Sequence, residues 1–250
     1  MTNEENSPCY FPLEDISGLV DKIWAEIFPY KEDKWGVPEK SAPLAELIGQ
    51  SETEHLYAIT DKATQNILLR PLLSPLLKSK DLDIRLKAMR WVLYDWGHIG
   101  GERGSEETWP ERFGDYKPNV IDSFIEDMWH ERIASWSKAL AFADSSKYAI
   151  YDARVAMSLN SILDKIGHER KFYMPATRIK DLNYLFKIVK AHSKKQNTNK
   201  NPQYMGYSEY MGLLNAIVQK ELAPNVLEIE MRLFANYLIH ADHYKTRHGL

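Results

Sequence analysis

One stretch of the sequence, residues 152–166, constrains the fold of this chain more than any other. Its apolar residues recur at intervals of three and four, which is the spacing of one face of an amphipathic helix. They are Val155, Leu159, Ile162, Leu163 and Ile166. Asp152 stands just ahead of them, where a helix N-cap residue accepts hydrogen bonds from backbone N–H groups. The pattern therefore predicts a helix that begins after Asp152 and buries one face.

The residues before Asp152 predict a second helix and then a corner. One side of this helix carries apolar residues at helical spacing, namely Ile133, Trp136, Leu140 and Ala143. The polar run Asp144-Ser145-Ser146 ends the helix, and residues 149–151 are predicted to be extended. We expect the two helices to direct the Asp152 carboxylate out of the fold. The partial positive charge of a helix N-terminus should keep that carboxylate ionised.

Helical spacing also dominates the rest of the chain, and no long alternating strand pattern occurs. The predicted helices cover residues 13–28, 44–48, 55–69, 207–218 and 226–239. Pro71 and Pro75 are expected to break the chain into a turn and a short stub. Asp81 or Asp83 is expected to cap a helix that runs through Trp96. The fold class is therefore predicted to be all-α.

The sequence Tyr151-Asp152-Ala153-Arg154-Val155-Ala156, followed by Leu159, resembles the aspartate segment of the helix-hairpin-helix DNA glycosylases. With Ser135-Trp136-Ser137-Lys138 ahead of it, the stretch is most similar to the bacterial 8-oxoguanine-glycosylase-like proteins. That group includes glycosylases used against bacteriophages with modified DNA. Three outlying pieces also resemble the group, and the resemblance covers roughly residues 85–240. The pieces are Tyr94-Asp95-Trp96-Gly97, Tyr207-Ser208-Glu209-Tyr210 and Glu230-Met231-Arg232-Leu233-Phe234.

This resemblance implies a helical glycosylase-like fold with two closely packed helical subdomains. We assign residues 1–80 to an acidic N-terminal helical region and residues 81–250 to the glycosylase-like domain. The resemblance also implies that the protein rotates a nucleotide out of double-stranded DNA and that Asp152 is the catalytic residue. Bifunctional members carry a lysine nucleophile ahead of the aspartate, at a spacing that falls here on Ile133, which cannot form a Schiff base. We therefore expect a monofunctional enzyme that cuts the N-glycosidic bond and leaves an abasic site.

The excised base is predicted from the resemblance alone. A bulky modified cytosine in phage DNA, such as glucosylated hydroxymethylcytosine, is the preferred substrate and would place the protein in antiviral defence. An oxidised guanine, removed in base-excision repair, is the alternative, and a third interpretation is a non-catalytic DNA-binding protein on the same scaffold. The hairpin that names the superfamily is rich in glycine, whereas no glycine lies between Gly114 and Gly167. The sequence therefore does not predict that this protein binds the DNA backbone through such a hairpin.

The distribution of charge suggests where DNA would be held. Residues 1–60 contain twelve acidic and four basic side chains, a net charge of −8, whereas residues 165–200 contain ten basic and two acidic ones, a net charge of +8. Basic side chains that neutralise phosphates release counterions and give affinity for any sequence. The alternative is a solvated helix face followed by a loop. The candidate contacts to the DNA backbone are Arg103, Arg154, Lys171, Arg178, Lys180, Lys194 and Lys195.

Aromatic residues near the motif suggest a base pocket, because an extruded base usually packs against aromatic rings. The candidate pocket residues are Trp96, Trp129, Trp136, Lys138 and Tyr151. Each functional interpretation has a structural alternative. Asp152 is also explained as a plain helix cap and the tryptophans as core. Arg154 would hold a phosphate or the aspartate, and its structural alternative is a surface arginine. The glycine-rich stretch 97–104 is also explained as a helix end that needs a positive φ.

Composition excludes several other classes of protein. A single cysteine, Cys9, rules out an internal disulfide and an all-cysteine iron–sulfur cluster. No apolar run approaches the length of a membrane span or of a signal-peptide core, so we expect a soluble, cytoplasmic monomer. His240, His243 and Asp242 are interpreted as a frayed polar tail rather than as a metal site. No cofactor or metal is expected.

Overall fold

The computed structural model of the protein describes residues 18–29, 37–38, 42–98, 133–196 and 204–250. This part of the chain is mostly helical, and its one β interaction is a parallel bridge between Phe172 and Met205. The prediction of an all-α fold is therefore confirmed. None of the helices within these ranges has an apolar stretch long enough to cross a membrane.

Eleven α-helices form the described part of the chain, and we label them α1 to α11 in chain order. The first five are α1 (Val20–Glu26), α2 (Ala42–Ile48), α3 (Gln50–Ala58), α4 (Lys62–Leu77) and α5 (Leu82–Arg90), which continues as a π-helix at Trp91–Trp96. The other six are α6 (Ile133–Ala143), α7 (Ala153–Lys165), α8 (Lys180–Gln196), α9 (Tyr207–Gln219), α10 (Val226–Ala235) and α11 (Tyr237–His248).

Aspartate side chains set the starts of three of these helices. Asp61 caps α4, Asp81 caps α5 and Asp152 caps α7, each by accepting hydrogen bonds from N–H groups of the first turn. The predicted cap at Asp152 is confirmed, and Asp81 rather than Asp83 caps α5. The single helix predicted over residues 55–69 is wrong, because the cap at Asp61 begins a new helix there. Asp61 and Asp81 are exposed, whereas Asp152 is buried.

Two prolines lie inside α4, where the sequence predicted a break. Pro71 and Pro75 lack N–H groups, so the carbonyls four residues before them lose their helical hydrogen bonds. Both prolines are exposed, and water can therefore bond to those carbonyls instead. The opposite side of the helix buries Leu69, Leu73 and Leu77 completely. Because this apolar side is retained only if the helix continues, α4 runs past both prolines.

α7 lies in the core and carries Asp152 at its N-terminus. Ten of its thirteen residues are buried, so the helix is covered on more than the one face that its apolar pattern predicted. It packs against α1, α8, α10 and α11, while α4 packs against α5 and α6. One hydrophobic cluster includes residues from α1 to α11 and extends across the predicted boundary at residue 80. The division of the chain at that boundary stays a prediction.

Polar residues allow the remaining faces of α7 to be buried. The Ser158 hydroxyl donates to the carbonyl of Leu233 at 2.7 Å, and the Ser161 hydroxyl donates to the carbonyl of His240 at 2.6 Å. The Asn160 amide donates to the carbonyl of residue 172 at 3.0 Å and accepts from the N–H of the same residue at 2.7 Å. Buried polar groups are tolerated when their hydrogen bonds are made. These three side chains therefore join α7 to its neighbours without leaving polar atoms unpaired.

The C-terminal residues form a helix, and the frayed tail predicted from the sequence is wrong. α11 packs along α7 and buries His240 and Tyr244 against the core. The ring of His240 lies 5.0 Å from the ring of Phe28, measured between centroids. This packing supplies the apolar burial that the polar sequence of α11 did not reveal.

Burial lowers the pKa of His240 from 6.5 to about 4, and the nearby positive charges of His243, Arg247 and Lys165 add to the shift. The unfolded chain therefore binds a proton on this ring before the folded protein does. The contribution of His240 to stability is complete above its pKa in the unfolded chain. It is lost as the pH falls toward its pKa in the folded protein. We predict that the free energy of unfolding falls by about 2 kcal/mol as the pH is lowered from about 7 to about 5, because His240 binds a proton only in the unfolded chain. Urea denaturation at the two pH values measures this change.

The control for this prediction is a pair of histidine variants. His240→Gln should lose this part of the pH dependence, whereas His55→Gln, at an exposed position of α3, should keep it. Equal pH dependence in the wild type and in His240→Gln would contradict the prediction.

Candidate functional site

The Asp152 carboxylate lies at the start of α7 in a mostly buried position. Its Oδ1 atom accepts hydrogen bonds from the N–H groups of Arg154 at 2.9 Å and Val155 at 3.3 Å. Its Oδ2 atom accepts no hydrogen bond from any residue that the structure describes. The side chain is 9% exposed. It does not project out of the fold as predicted, because the capping bonds hold it against the helix.

Arg154 contacts the carboxylate and is itself held by aromatic rings. Its Nε atom lies 3.6 Å from Asp152 Oδ2. Its guanidinium carbon lies 4.3 Å from the centroid of the Phe234 ring and 5.9 Å from that of Tyr237. A guanidinium over an aromatic face is attracted by the ring quadrupole, which fixes its orientation. Of the roles predicted for Arg154, contact with the aspartate is therefore the one that is observed.

Residues 149–151, which we call the entry segment, lead into Asp152 and are buried without regular secondary structure. Two tyrosines of α9 bond to this segment. Tyr207 donates its hydroxyl hydrogen to the carbonyl of Ala149 at 2.9 Å, and Tyr210 donates to the carbonyl of Ile150 at 3.1 Å. Side chains thus supply the hydrogen bonds that a neighbouring strand would give in a sheet.

Ser137 of α6 holds the last residue of the entry segment. Its hydroxyl accepts a hydrogen bond from the N–H of Tyr151 at 2.9 Å and donates one to the carbonyl of the same residue at 3.2 Å. The Tyr151 hydroxyl in turn donates to the carbonyl of Tyr173. Burial raises the pKa of Tyr151 and of Tyr210 well above the usual value, so both hydroxyls keep their protons at neutral pH.

A buried ion pair completes the hydrogen bonding of the entry segment. Glu230 of α10 accepts the N–H of Ile150 through Oε2 at 2.7 Å. Arg70 of α4 donates to both oxygens of the same carboxylate, at 3.1 Å and 2.6 Å. Their side chains are only 1% and 2% exposed. This bidentate geometry ties α4, α10 and the entry segment together in the core.

Lys138 of α6 is buried close enough to Asp152 to interact with it electrostatically. Its Nζ atom donates to the carbonyl of Ala134 at 2.9 Å. Burial lowers the pKa of its ammonium group, the Asp152 carboxylate opposes that shift, and Arg154 adds to it. The structure therefore places an amine within electrostatic range of the aspartate, although it comes from residue 138 rather than from position 133.

Gly97 begins the glycine-rich stretch at the end of the π-helix, and it lies against Lys138. Its φ is −78°, so the predicted need for a positive φ is wrong at this residue. A Cβ atom here would lie 2.8 Å from the carbonyl oxygens of Leu93 and Val92 and 3.0 Å from Cδ of Lys138. Glycine is therefore required for space. Residues 99–104, including Arg103, lie outside the described residues.

The predicted base-pocket residues occupy different environments. The Trp96 indole donates to Asn66 at 2.9 Å and its ring packs on Phe142 with centroids 4.7 Å apart. Trp96 and Tyr151 are core side chains, at 3% and 0% exposure, so we correct their assignment to a base pocket. Lys138 lies at the site, Trp136 is buried on α6, and Trp129 lies outside the described residues.

The predicted DNA-backbone residues also separate into groups. Lys171 is buried, donates to the carbonyl of His168 at 2.6 Å, and has its pKa lowered by burial, so its assignment as a backbone contact is corrected. Arg178 and Lys180 are exposed at the start of α8. Lys194 and Lys195 belong to the last turn of α8, and their side chains are outside the described part of the structure.

Sequence reasoning missed the roles of Ser137, Tyr207, Tyr210 and Glu230. The sequence did contain an indication of these roles, because Tyr207, Tyr210 and Glu230 belong to the outlying pieces of the resemblance. Those pieces are distant in sequence, yet they converge on the entry segment. No local spacing predicts that convergence, since it depends on how α9 and α10 pack.

No family model matches this sequence, and no match was found among curated proteins or solved structures. Membership of the glycosylase superfamily therefore rests on the quoted residues and stays a prediction.

We predict that Glu230→Gln destabilises the protein by about 3 kcal/mol, because it leaves the buried Arg70 charge without a counter-charge. Urea denaturation at neutral pH measures this loss. Glu228→Gln is the matched control, since Glu228 lies on the same helix but forms a partly exposed pair with Arg232. That control should cost less than about 1 kcal/mol. Equal losses in the two variants would show that the buried pair does not hold the core.

Proposed function

We propose that this protein is a monofunctional DNA glycosylase that cuts the N-glycosidic bond of a flipped-out nucleotide, with Asp152 as its catalytic residue. The proposal rests on the different hydrogen bonding of the two oxygens of this carboxylate. Oδ1 is occupied by the helix cap, while Oδ2 accepts no hydrogen bond from the described residues. One oxygen fixes the group. The other pairs with Arg154, whose Nε atom lies 3.6 Å away, and it would also contact a substrate or a water molecule.

The chemistry required of Asp152 suits an oriented anion at a helix N-terminus. Glycosidic cleavage passes through a sugar with oxocarbenium character, which a carboxylate facing C1′ stabilises. The same oxygen can orient or deprotonate the attacking water. The N–H groups of the first turn hold Oδ1, and the Arg154 guanidinium lies near Oδ2. The other two aspartate caps, Asp61 and Asp81, are exposed, whereas Asp152 is buried.

Lys138 supports a second candidate activity at the same site. Burial lowers the pKa of its amine, which is the condition for a lysine to act as a nucleophile. A lysine nucleophile would cleave the DNA strand after the base is removed. We retain the monofunctional assignment, because the superfamily position of that lysine is occupied by Ile133.

The substrate proposed is double-stranded phage DNA that carries a bulky modified cytosine, such as glucosylated hydroxymethylcytosine. The protein would act as a cytoplasmic monomer in antiviral defence, without a metal or other cofactor. Excision of oxidised guanine is the alternative within the same chemistry. A non-catalytic DNA-binding protein is the alternative in another class, and it differs in tolerating the loss of the Asp152 charge.

We predict that Asp152→Asn abolishes base excision and leaves the fold intact. Asparagine caps a helix as well as aspartate does, so the variant loses the charge and keeps the cap. The measurement is the formation of abasic sites, detected by hot alkali and by an aldehyde-reactive probe. Unmodified DNA, 8-oxoguanine DNA and glucosylated phage DNA serve as substrates. The wild type should produce abasic sites in glucosylated DNA only.

The matched control is Asp81→Asn, which makes the same change at an exposed helix cap and should retain full activity. Excision by Asp152→Asn at the wild-type rate would contradict the proposed role of the carboxylate. Strand cleavage without alkali would contradict the monofunctional assignment and identify Lys138→Gln as the next variant. DNA binding without excision of any substrate would favour the non-catalytic alternative.

A further inference from the structure

The outer side of α8 carries basic residues around an exposed aromatic ring. We call it the α8 outer face, and it consists of Arg178, Lys180, Tyr184 and Lys187. Tyr184 is 55% exposed, which is unusual for a ring of its size. None of the four side chains makes a hydrogen bond or an ion pair with any described residue. The acidic residue exposed beside them is Asp181.

The core fixes which side of α8 faces outward. Leu182, Leu185 and Val189 are at most 1% exposed, and α8 packs on α7. Lys180, Tyr184 and Lys187 follow one another at intervals of four and three residues, so they share the opposite side of the helix. Seven residues of helix extend about 10 Å, so Lys180 and Lys187 can contact different phosphates of one strand.

A capped turn orders the chain at Arg178, just ahead of the helix. The Thr177 hydroxyl accepts the N–H of Ile179 at 3.2 Å, and the Asn183 side chain donates to the carbonyl of Thr177. These bonds fix the backbone on both sides of Arg178. The third cation is therefore held at the end of the face instead of on a loose loop.

We propose that the α8 outer face binds a single strand of DNA. Its three cations would contact successive phosphates, and the Tyr184 ring would stack on an unpaired base. The exposed ring favours a single strand over a duplex. In a duplex, each base is stacked between adjacent base pairs, so its face is not accessible to Tyr184. An aromatic platform between cations is the combination that single-strand binding requires. The inference goes beyond base excision at Asp152 and does not depend on it.

The test measures the affinity of the full-length protein for a fluorescent oligothymidine strand by anisotropy, over a range of salt concentrations. Lys180→Ala/Lys187→Ala should reduce the slope of log affinity against log salt concentration by about 1.4, from two lost phosphate contacts at about 0.7 each. Lys22→Ala/Lys80→Ala is the matched control, since both lysines are exposed outside α8, Lys22 on α1 and Lys80 between α4 and α5. That control should leave the slope unchanged.

Tyr184 variants separate stacking from charge. Tyr184→Ala should weaken strand binding by about tenfold, while Tyr184→Phe, which keeps the ring, should bind as the wild type does. The duplex form of the oligonucleotide should bind more weakly than the strand and should not respond to Tyr184→Ala.

Three results would overturn the inference. The first is a strand affinity that Tyr184→Ala leaves unchanged. The second is equal loss of slope in the two double-lysine variants, and the third is the absence of salt-dependent strand binding. Base excision is not a readout of this experiment. Failure here would therefore leave the proposal for Asp152 intact, and success here would not establish it.

Discussion

The Glu230 carboxylate is the group on which the site depends. It is buried with Arg70, which donates to both of its oxygens, and one of these, Oε2, also accepts the N–H of Ile150. Removing two charges from water costs several kcal/mol per ion unless the geometry is excellent. Here the bidentate pair and the backbone donor together satisfy the carboxylate. The pair fixes the entry segment to α10, and the direction in which the chain reaches Asp152 follows from it.

From that fixed segment, the position of the catalytic candidate is set by covalent geometry. Side chains from α6, α9 and α10 hold residues 149–151 in place, and the chain then enters α7 with Asp152 as the cap. Capping uses one carboxylate oxygen and leaves the other beside Arg154. Rigid support of this kind is what a pre-organised site needs, because a catalytic group must be held within a fraction of an ångström. The hydrogen bonds that stabilise the entry segment thus also position the carboxylate for the proposed reaction.

The sequence predicted what depends on local spacing. The all-α class, the α7 cap at Asp152 and the end of α6 before Asp144 follow from helical periodicity and capping residues. It did not predict what depends on packing between distant segments. α4 continues past Pro71 because its leucines are buried. Lys138 interacts electrostatically with Asp152, and its neighbour Ser137 bonds to the entry segment, an arrangement that counting residues along the chain does not give.

The central claim is that this chain breaks an N-glycosidic bond at Asp152, and the most direct measurement follows the atoms of that bond. Glucosylated phage DNA is incubated with the protein in ¹⁸O-labelled water, and the products are separated and weighed by mass spectrometry. The account predicts release of the intact modified base and one labelled oxygen at C1′ of the abasic sugar, with neither product from Asp152→Asn. The same incubation with 8-oxoguanine DNA covers the alternative substrate. Both DNAs left intact by the wild type, with no free base released, would contradict the claim.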